Sequence, residues 1–301
     1  MPSKNWALFW GLGFVLGAAA LAVSMVVWNP FTWSILPGGE EEVEPVEEVV
    51  VEEPLVKQKT IGQSVEGRAI DVYSYGTGDK HLLFIGGVHG GYEWNSSLLA
   101  YMMMDYLEAN INLIPTGVKV SIIPVANPDG LFKVVGTGGR FTVSDVPGPD
   151  DGTGRGRFNA NSVDLNRNFD CKWQPESSWR SKVVSAGTAP FSEPESAALR
   201  DFILANNLTA VVSWHSQSNA VYAAECGEGI SPATMTLMNT YSQASGYPAM
   251  TSFDHYEITG DMEGWLATIR VPAVTVELTT HETVEWAKNL AGVKAILELY
   301  K

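Results

Sequence analysis

From His81 onward, short apolar runs alternate with longer stretches of helical pattern, and this alternation constrains the fold more than any other feature of the chain. HLLFIGGV at 81–88, VKVSIIPVA at 118–126, TAVVSW at 209–214 and AVTVEL at 273–278 read as buried strands. Residues 95–109, 231–245, 261–269 and 283–300 read as helices. Ser192-Glu193-Pro194-Glu195 opens another helix through Asn206, with Ser192 as the N-cap of a capping box. Asn127-Pro128-Asp129-Gly130 is a turn signature, and the Gly-, Pro- and Asp-rich residues 136–160 form a long loop of the kind that carries function. This order predicts an α/β fold: a single domain, 57–301, with a mixed, mostly parallel central sheet flanked by helices.

A different pattern precedes it. Residues 6–28 form a 23-residue run without a charge, long enough to span hydrocarbon as a helix and long for a cleaved signal. Lys4 precedes the run and the next base is Lys57, so the positive-inside rule puts residues 1–5 in the cytoplasm and everything after Trp28 outside. Secretion after cleavage near Ala18–Ala22 is the alternative. Residues 29–56 read as an acidic flexible linker, because eight glutamates between 40 and 53 repel one another and prolines break any helix. The chain therefore reads as anchored to a membrane by its N-terminal helix. A net charge of -15 excludes nucleic acid as a partner, since binding it needs a basic face. Two cysteines, Cys171 and Cys226, are too few for a thiolate zinc site, and they allow at most one bridge.

In sheets of this class, sites form at the carboxyl ends of strands. Three such ends carry chemistry: His89 after the first run, His215 after TAVVSW, and Glu277 near the end of AVTVEL. Glu93 follows His89 by four residues. Two histidines and a carboxylate make an open zinc set, with a position left for water. Zinc acidifies that water and polarises a carbonyl, and a further carboxylate must then act as general base. Of the other histidines, His81 reads as a surface residue at a strand start, His281 as a loop residue before the last helix, and His255 as a neighbour of Tyr256.

Taken in order, Gly86-Gly87-Val88-His89-Gly90, Asn127-Pro128-Asp129-Gly130, Val163-Asp164-Leu165-Asn166-Arg167-Asn168-Phe169, Phe191-Ser192-Glu193-Pro194-Glu195, Trp214-His215-Ser216 and Thr275-Val276-Glu277-Leu278 resemble the zinc metallocarboxypeptidases, including short bacterial carboxypeptidases and murein peptide amidases. The resemblance covers about residues 60–300. It implies one zinc ion per chain held by His89, Glu93 and His215, with Glu277 as general base and Arg157 as the oxyanion-stabilising arginine, Arg155 being the competing choice. Asn166 and Arg167 resemble the pair that grips a substrate's terminal carboxylate, for which a guanidinium fork is suited. Tyr256 resembles the tyrosine that caps bound substrate, and Glu263, seven residues later, falls where the pocket for the leaving side chain is set; Asp261 is close by. A carboxylate there favours a basic leaving residue or an amine-bearing one such as diaminopimelate. The alternative is that Glu263 points to solvent from a helix.

Two departures stand out. The family motif is His-x-x-Glu, but three residues separate His89 from Glu93, with Tyr92 at the usual ligand position. The turn must bulge, or the site is altered. The arginine that ordinarily precedes the ligand glutamate is also missing, which bears on extended peptide binding. The expected function is a membrane-anchored, extracytoplasmic zinc carboxypeptidase acting on a peptide or cell-wall peptide with a free C-terminal carboxylate. A cell-wall peptide amidase, an aspartoacylase-like deacylase and a catalytically idle binding module are the alternatives.

Overall fold

The computed structural model describes residues 56–148 and 152–301. The expected anchor at 6–28 and nearly all of the acidic linker lie outside them, and no helix among the described residues is long and apolar enough to cross a membrane.

One eight-stranded sheet organises the domain. Its strands are β1 (Val56–Gln63), β2 (Ala69–Tyr75), β3 (Lys80–Ile85), β4 (Val118–Ile123), β7 (Leu208–Ser216), β8 (Ala220–Ala223), β9 (Ala249–Met250) and β10 (Ala273–Leu278). They lie in the order β1-β2-β4-β3-β7-β10-β8-β9. The inner strands β4, β3, β7 and β10 run parallel, while β1, β2 and β8 pair antiparallel at the flanks. A separate hairpin is formed by β5 (Glu176–Trp179) and β6 (Lys182–Ser185). The fold is α/β with a mixed, mostly parallel sheet, as the alternation predicts.

The two faces of the sheet explain its sequence. In β3, Leu82 and Phe84 enter one core while Leu83 and Ile85 enter the other, so both parities must be apolar. Helices α1 (Trp94–Ala109), α4 (Pro232–Ser245) and α6 (Trp286–Leu299) supply the first core, and α3 (Pro194–Ala205) and α5 (Met262–Thr268) the second. In β7 and β10 the first face stays apolar to the end, through Ala210, Val212 and Trp214 and through Val274, Val276 and Leu278. The second face starts apolar with Val211 and Ala273, then turns polar with Ser213 and His215 and with Thr275 and Glu277. Each full burial of a Leu, Val, Ile or Phe contributes about 1.5–3 kcal/mol, so a polar parity at the strand ends needs a reason.

Three local expectations are corrected. Asn127-Pro128-Asp129-Gly130 does not end in a turn but starts α2 (Pro128–Val135): Asn127 caps it, accepting from Gly130 N at 2.8 Å, and Pro128 fills the first helical turn. Ser192 is not the cap of α3. Pro194 begins the helix one residue later, Glu193 sits at the N-cap, and Ser192 Oγ donates to the Glu193 carboxylate at 2.9 Å. His81 is not a surface residue; it is 5% exposed, with Nε2 2.7 Å from Ser121 Oγ on the neighbouring strand.

Cys171 and Cys226 are bridged, with their Cα atoms 5.9 Å apart. The bridge closes a loop of 55 residues, for which loop-closure entropy gives about 4 kcal/mol. Thermal scans with and without reductant, or of Cys226→Ser, are expected to show Tm lower by roughly 10 °C when the bridge is missing. A shift below about 2 °C would mean that the bridge does not brace the domain.

Candidate active site

The carboxyl ends of β3, β7 and β10 meet at one place. His215 and Glu277 are the penultimate residues of their strands and stand opposite each other in the parallel register. After β3, Gly86-Gly87-Val88 leads to His89, and the turn Gly90–Glu93 then feeds α1.

That turn takes up the extra residue. Gly90 has φ 46°, and a Cβ there would sit 2.7 Å from Gly156 O and from Gly130 C, so glycine is required twice over. The bulge brings the Glu93 carboxylate back onto His89. Tyr92 turns aside and packs between the rings of Trp179 and His281, at 5.3 and 4.4 Å.

Glu93 lies between two imidazoles. Its Oε1 is 2.8 Å from His89 Nδ1, its Oε2 is 3.0 Å from His215 Nδ1, and the two Nδ1 atoms are 3.2 Å apart. All three side chains are buried. Among the described residues these are the His, Cys, Asp and Glu side chains whose donor atoms suit one metal ion. Two ring nitrogens and a carboxylate brought this close together can hold one metal ion, and an N₂O donor set suits zinc. On the far side of the rings, His89 Nε2 lies 3.3 Å from Asp164 Oδ1 and His215 Nε2 lies 4.0 Å from Glu263 Oε1. Neither Nε2 atom makes a hydrogen bond there, so Nδ1 is the ring nitrogen that each imidazole commits to the donor cluster.

The electrostatics follow from burial. Burial opposes the charge on Glu93, but His89 and His215 outweigh it and hold the carboxyl well below its usual range. For His215, burial opposes the proton and Glu93 wins, lifting the ring to about 9. For Glu277, burial joined by the charge of Glu93 outweighs the pull of His215 and Arg157 and pushes the carboxyl up to about 8. Asp164 is buried yet held well below the carboxylate range by Arg157, His89 and Arg167.

The expected metal ligands, Glu277, Arg157 and the expected substrate contacts Asn166, Arg167, Tyr256 and Glu263 line one cleft of about 740 Å³. Arg157 is 3% exposed, bonds Asp164 through Nε at 2.9 Å, and lies 3.6 Å from Glu93 Oε1. Arg155 instead points away and donates to Lys133 O. Asp164 caps the turn Leu165–Arg167, accepting from Asn166 N at 3.1 Å. Asn166 Oδ1 accepts from Met262 N at the start of α5, and Arg167 donates to Ser178 O at 3.1 and 3.2 Å. Tyr256 lies with its ring 6.0 Å from the Arg167 guanidinium carbon. Gly260 crosses the Arg167 backbone so closely that a Cβ would sit 2.1 Å from Arg167 O. Glu263 does not point to solvent: it is 4% exposed and accepts a hydrogen bond from Ser213 Oγ. Asp261 caps α5, and burial together with Glu263 pushes it up to about 6.

Sequence reasoning missed four contributors. Asp164 was part of a quoted motif without a role. Ser216 donates its backbone N–H to Glu93 Oε2 at 3.2 Å, and its hydroxyl contacts His281 Nδ1 at 2.6 Å. His281 is thus a buried partner of the donor cluster and not a loop ornament. Arg180 reaches the cleft from the β5–β6 hairpin. No local pattern marks His281 or Arg180, because each arrives through a distant contact.

The pattern of the zinc carboxypeptidase family matches residues 47–291. Gamma-D-glutamyl-L-diamino acid endopeptidase 1 of Lysinibacillus sphaericus is 26% identical over 246 residues, 75% of this chain and 61% of that protein. Murein peptide amidase A of Escherichia coli K12 is 33% identical over 131 residues, 40% of this chain and 50% of the relative. The chain thus spans less than two thirds of the length of either relative. Bovine thrombin-activatable fibrinolysis inhibitor shares the fold, with TM-score 0.63 and 20% identity over 82% of this chain and 88% of that one. So does the murein-tripeptide amidase of Escherichia coli O157, with TM-score 0.54 and 22% identity over 81% and 91%.

Because His215 keeps its proton up to about 9 in the metal-free protein, an entering metal ion must displace it. Zinc uptake is expected to release about one proton and to tighten as pH rises from 6.5 to 8.5, by up to roughly tenfold per pH unit. Calorimetry in buffers of different ionisation enthalpy measures both, and His215→Ala is expected to bind about one zinc ion less. Affinity that does not change with pH would contradict the assignment.

Proposed function

The chain belongs to the zinc carboxypeptidase family, and from that membership we propose that it cleaves the amide bond before a leaving residue that carries a free carboxylate and a second, cationic group, as in a cell-wall peptide ending in a diamino acid. At the coarser level it is a zinc-dependent peptidase of the carboxypeptidase or peptide-amidase type. The observation that carries the finer reading is that one cleft is lined by the donor cluster, by Asn166 and Arg167, and by the acidic pair Asp261 and Glu263.

In this reading His89, Glu93 and His215 hold one zinc ion, which supplies a Lewis acid that polarises a carbonyl and acidifies water. Glu277 takes a proton from the attacking water and returns it to the leaving nitrogen. Its carboxyl suits both tasks, because burial raises its proton affinity. Arg157 is sealed in place by Asp164 and offers its guanidinium to the oxygen on which negative charge grows. Asn166, Arg167 and Tyr256 hold the terminal carboxylate, the guanidinium by charge-assisted hydrogen bonds.

Glu263 and Asp261 select the leaving side chain. Glu263 is buried and Asp261 half-buried in the cleft, close enough for Glu263 to raise the Asp261 carboxyl, so a cation between them relieves their repulsion. The relative named for a diamino acid supports this reading. Native enzyme is expected to favour peptides ending in Lys over Leu or Phe by at least roughly tenfold in kcat/KM, and Glu263→Gln to bring that ratio near one with zinc content unchanged. Glu277→Gln serves as the control: kcat falls at least roughly 100-fold with zinc retained. A native preference for Leu or Phe, or a Lys preference untouched in Glu263→Gln, would remove Glu263 as selector.

The proposal extends to location: an anchor at 6–28 with the peptidase domain outside the membrane. The Cys171–Cys226 bridge supports it, since structural disulfides belong to oxidising compartments. External protease is expected to digest the domain in intact cells, and a chain lacking residues 1–36 to be soluble and active. Full-length protein recovered from the cytosol would count against the anchor.

A further inference from the structure

Arg180 has no part in the reading above. It stands at the tip of the β5–β6 hairpin, exposed, with φ 54°. Two contacts orient its guanidinium. It lies 5.4 Å from the Trp179 ring centre, and Nη2 donates to Tyr92 Oη at 2.9 Å. A ring face and a hydroxyl fix a cation without neutralising it. Arg157 and Arg68 each face a carboxylate, at 2.8 and 2.6 Å, whereas Arg180 has none within salt-bridge distance among the described residues.

Among the cleft residues, Asn166, Asp261 and Glu263 gather around the start of α5, while Arg167, beside Tyr256, also donates to Ser178 O of β5. Arg180 belongs with Tyr92 and Trp179, a group joined to the donor cluster through the peptide bond from Tyr92 to Glu93. In the reading above the leaving residue lies against Asn166, Arg167 and α5, which leaves the side next to Tyr92 and Glu93 for the acyl part of the substrate, across the scissile bond.

We propose that Arg180 is the receptor for a carboxylate borne by the substrate residue on the acyl side of the scissile bond, so that the enzyme selects for acid at that residue. The proposal rests on the peptidase reading above and deepens it. The carboxylate has two chemical sources: the side chain of an α-linked Asp or Glu, or the free α-carboxylate of a γ-linked Glu. In either, a guanidinium with a free edge binds the carboxylate and discriminates against the uncharged amide.

The test uses the zinc-loaded full chain and matched N-acetylated peptides ending in Lys: γ-glutamyl against its α-amide, and α-glutamyl against α-glutaminyl. Turnover is read as kcat/KM, and binding as Kd to Glu277→Gln protein by calorimetry. The acid is expected to be favoured over its amide by about tenfold in one linkage pair, through KM and Kd, and the favoured pair names the source. Arg180→Gln brings the ratio to within about twofold, Arg180→Lys keeps part of it, and Tyr92→Phe, which frees the guanidinium, lowers it. The Lys-to-Leu ratio at the leaving position stays put in Arg180→Gln, which a general loosening of the cleft would not allow. Equal binding of acid and amide, or a preference that survives Arg180→Gln, overturns the proposal. A binding preference without any cleavage supports Arg180 as receptor and sinks the peptidase reading instead.

Discussion

Glu93, Asp164 and Arg157 are almost sealed from water, and none of them is tolerable there alone. An unpaired buried ion costs several kcal/mol, so each must be matched by the others. Asp164 meets that demand most fully: it grips Arg157, faces His89, and caps the turn that presents Asn166 and Arg167. The same carboxylate therefore ties the side of the cleft that holds His89 to the turn that holds Asn166 and Arg167. Glu277 is left out of the balance, and its raised proton affinity is the result. A cluster in which most charges are matched and one is not separates groups that hold from a group that exchanges protons.

The sheet makes this cluster reachable. Parallel register lines up His215 with Glu277, and parity sends both to the face where the apolar run gives way to Ser213 and Thr275. The opposite face stays apolar through Trp214 and Leu278, so the strands remain anchored by their cores while their ends carry polar chemistry. The Cys171–Cys226 bridge ties the segment after Arg167 to the segment after β8. Strand ends thus carry His215 and Glu277, and a loop braced by a covalent tie carries Asn166 and Arg167.

Much of this is legible in the chain. A strand whose apolar parity fails on alternate residues at its end, as in Val211-Ser213-His215 and Ala273-Thr275-Glu277, announces a site as well as a strand. The Gly-Gly before His89 and the Asp-Leu-Asn-Arg turn are local signals too. What escaped notice depends on partners far along the chain. His81 looks like the exposed start of a strand until Ser121 of the adjacent strand covers it. His281 is a loop residue as read, but its burial against Ser216 has no local sign. The β5–β6 hairpin is short and polar, with nothing in its composition to mark Arg180 as a wall of the cleft. The capping reading of Ser192 failed for a local reason, since Pro194 delays the helix.

The bulged turn carries a lesson about how such sites are recognised. His89 and Glu93 meet at 2.8 Å although the interval between them is one residue longer than the usual motif, because Gly90 combines a positive φ with backbone packed too close for any Cβ. Spacing along the chain is therefore a poor proxy for spacing between ligands wherever a glycine can absorb the slack. A catalogue of metal-binding peptidases compiled by counting the letters between histidine and glutamate passes over chains built in this way. One compiled from the meeting of strand ends in space retains them.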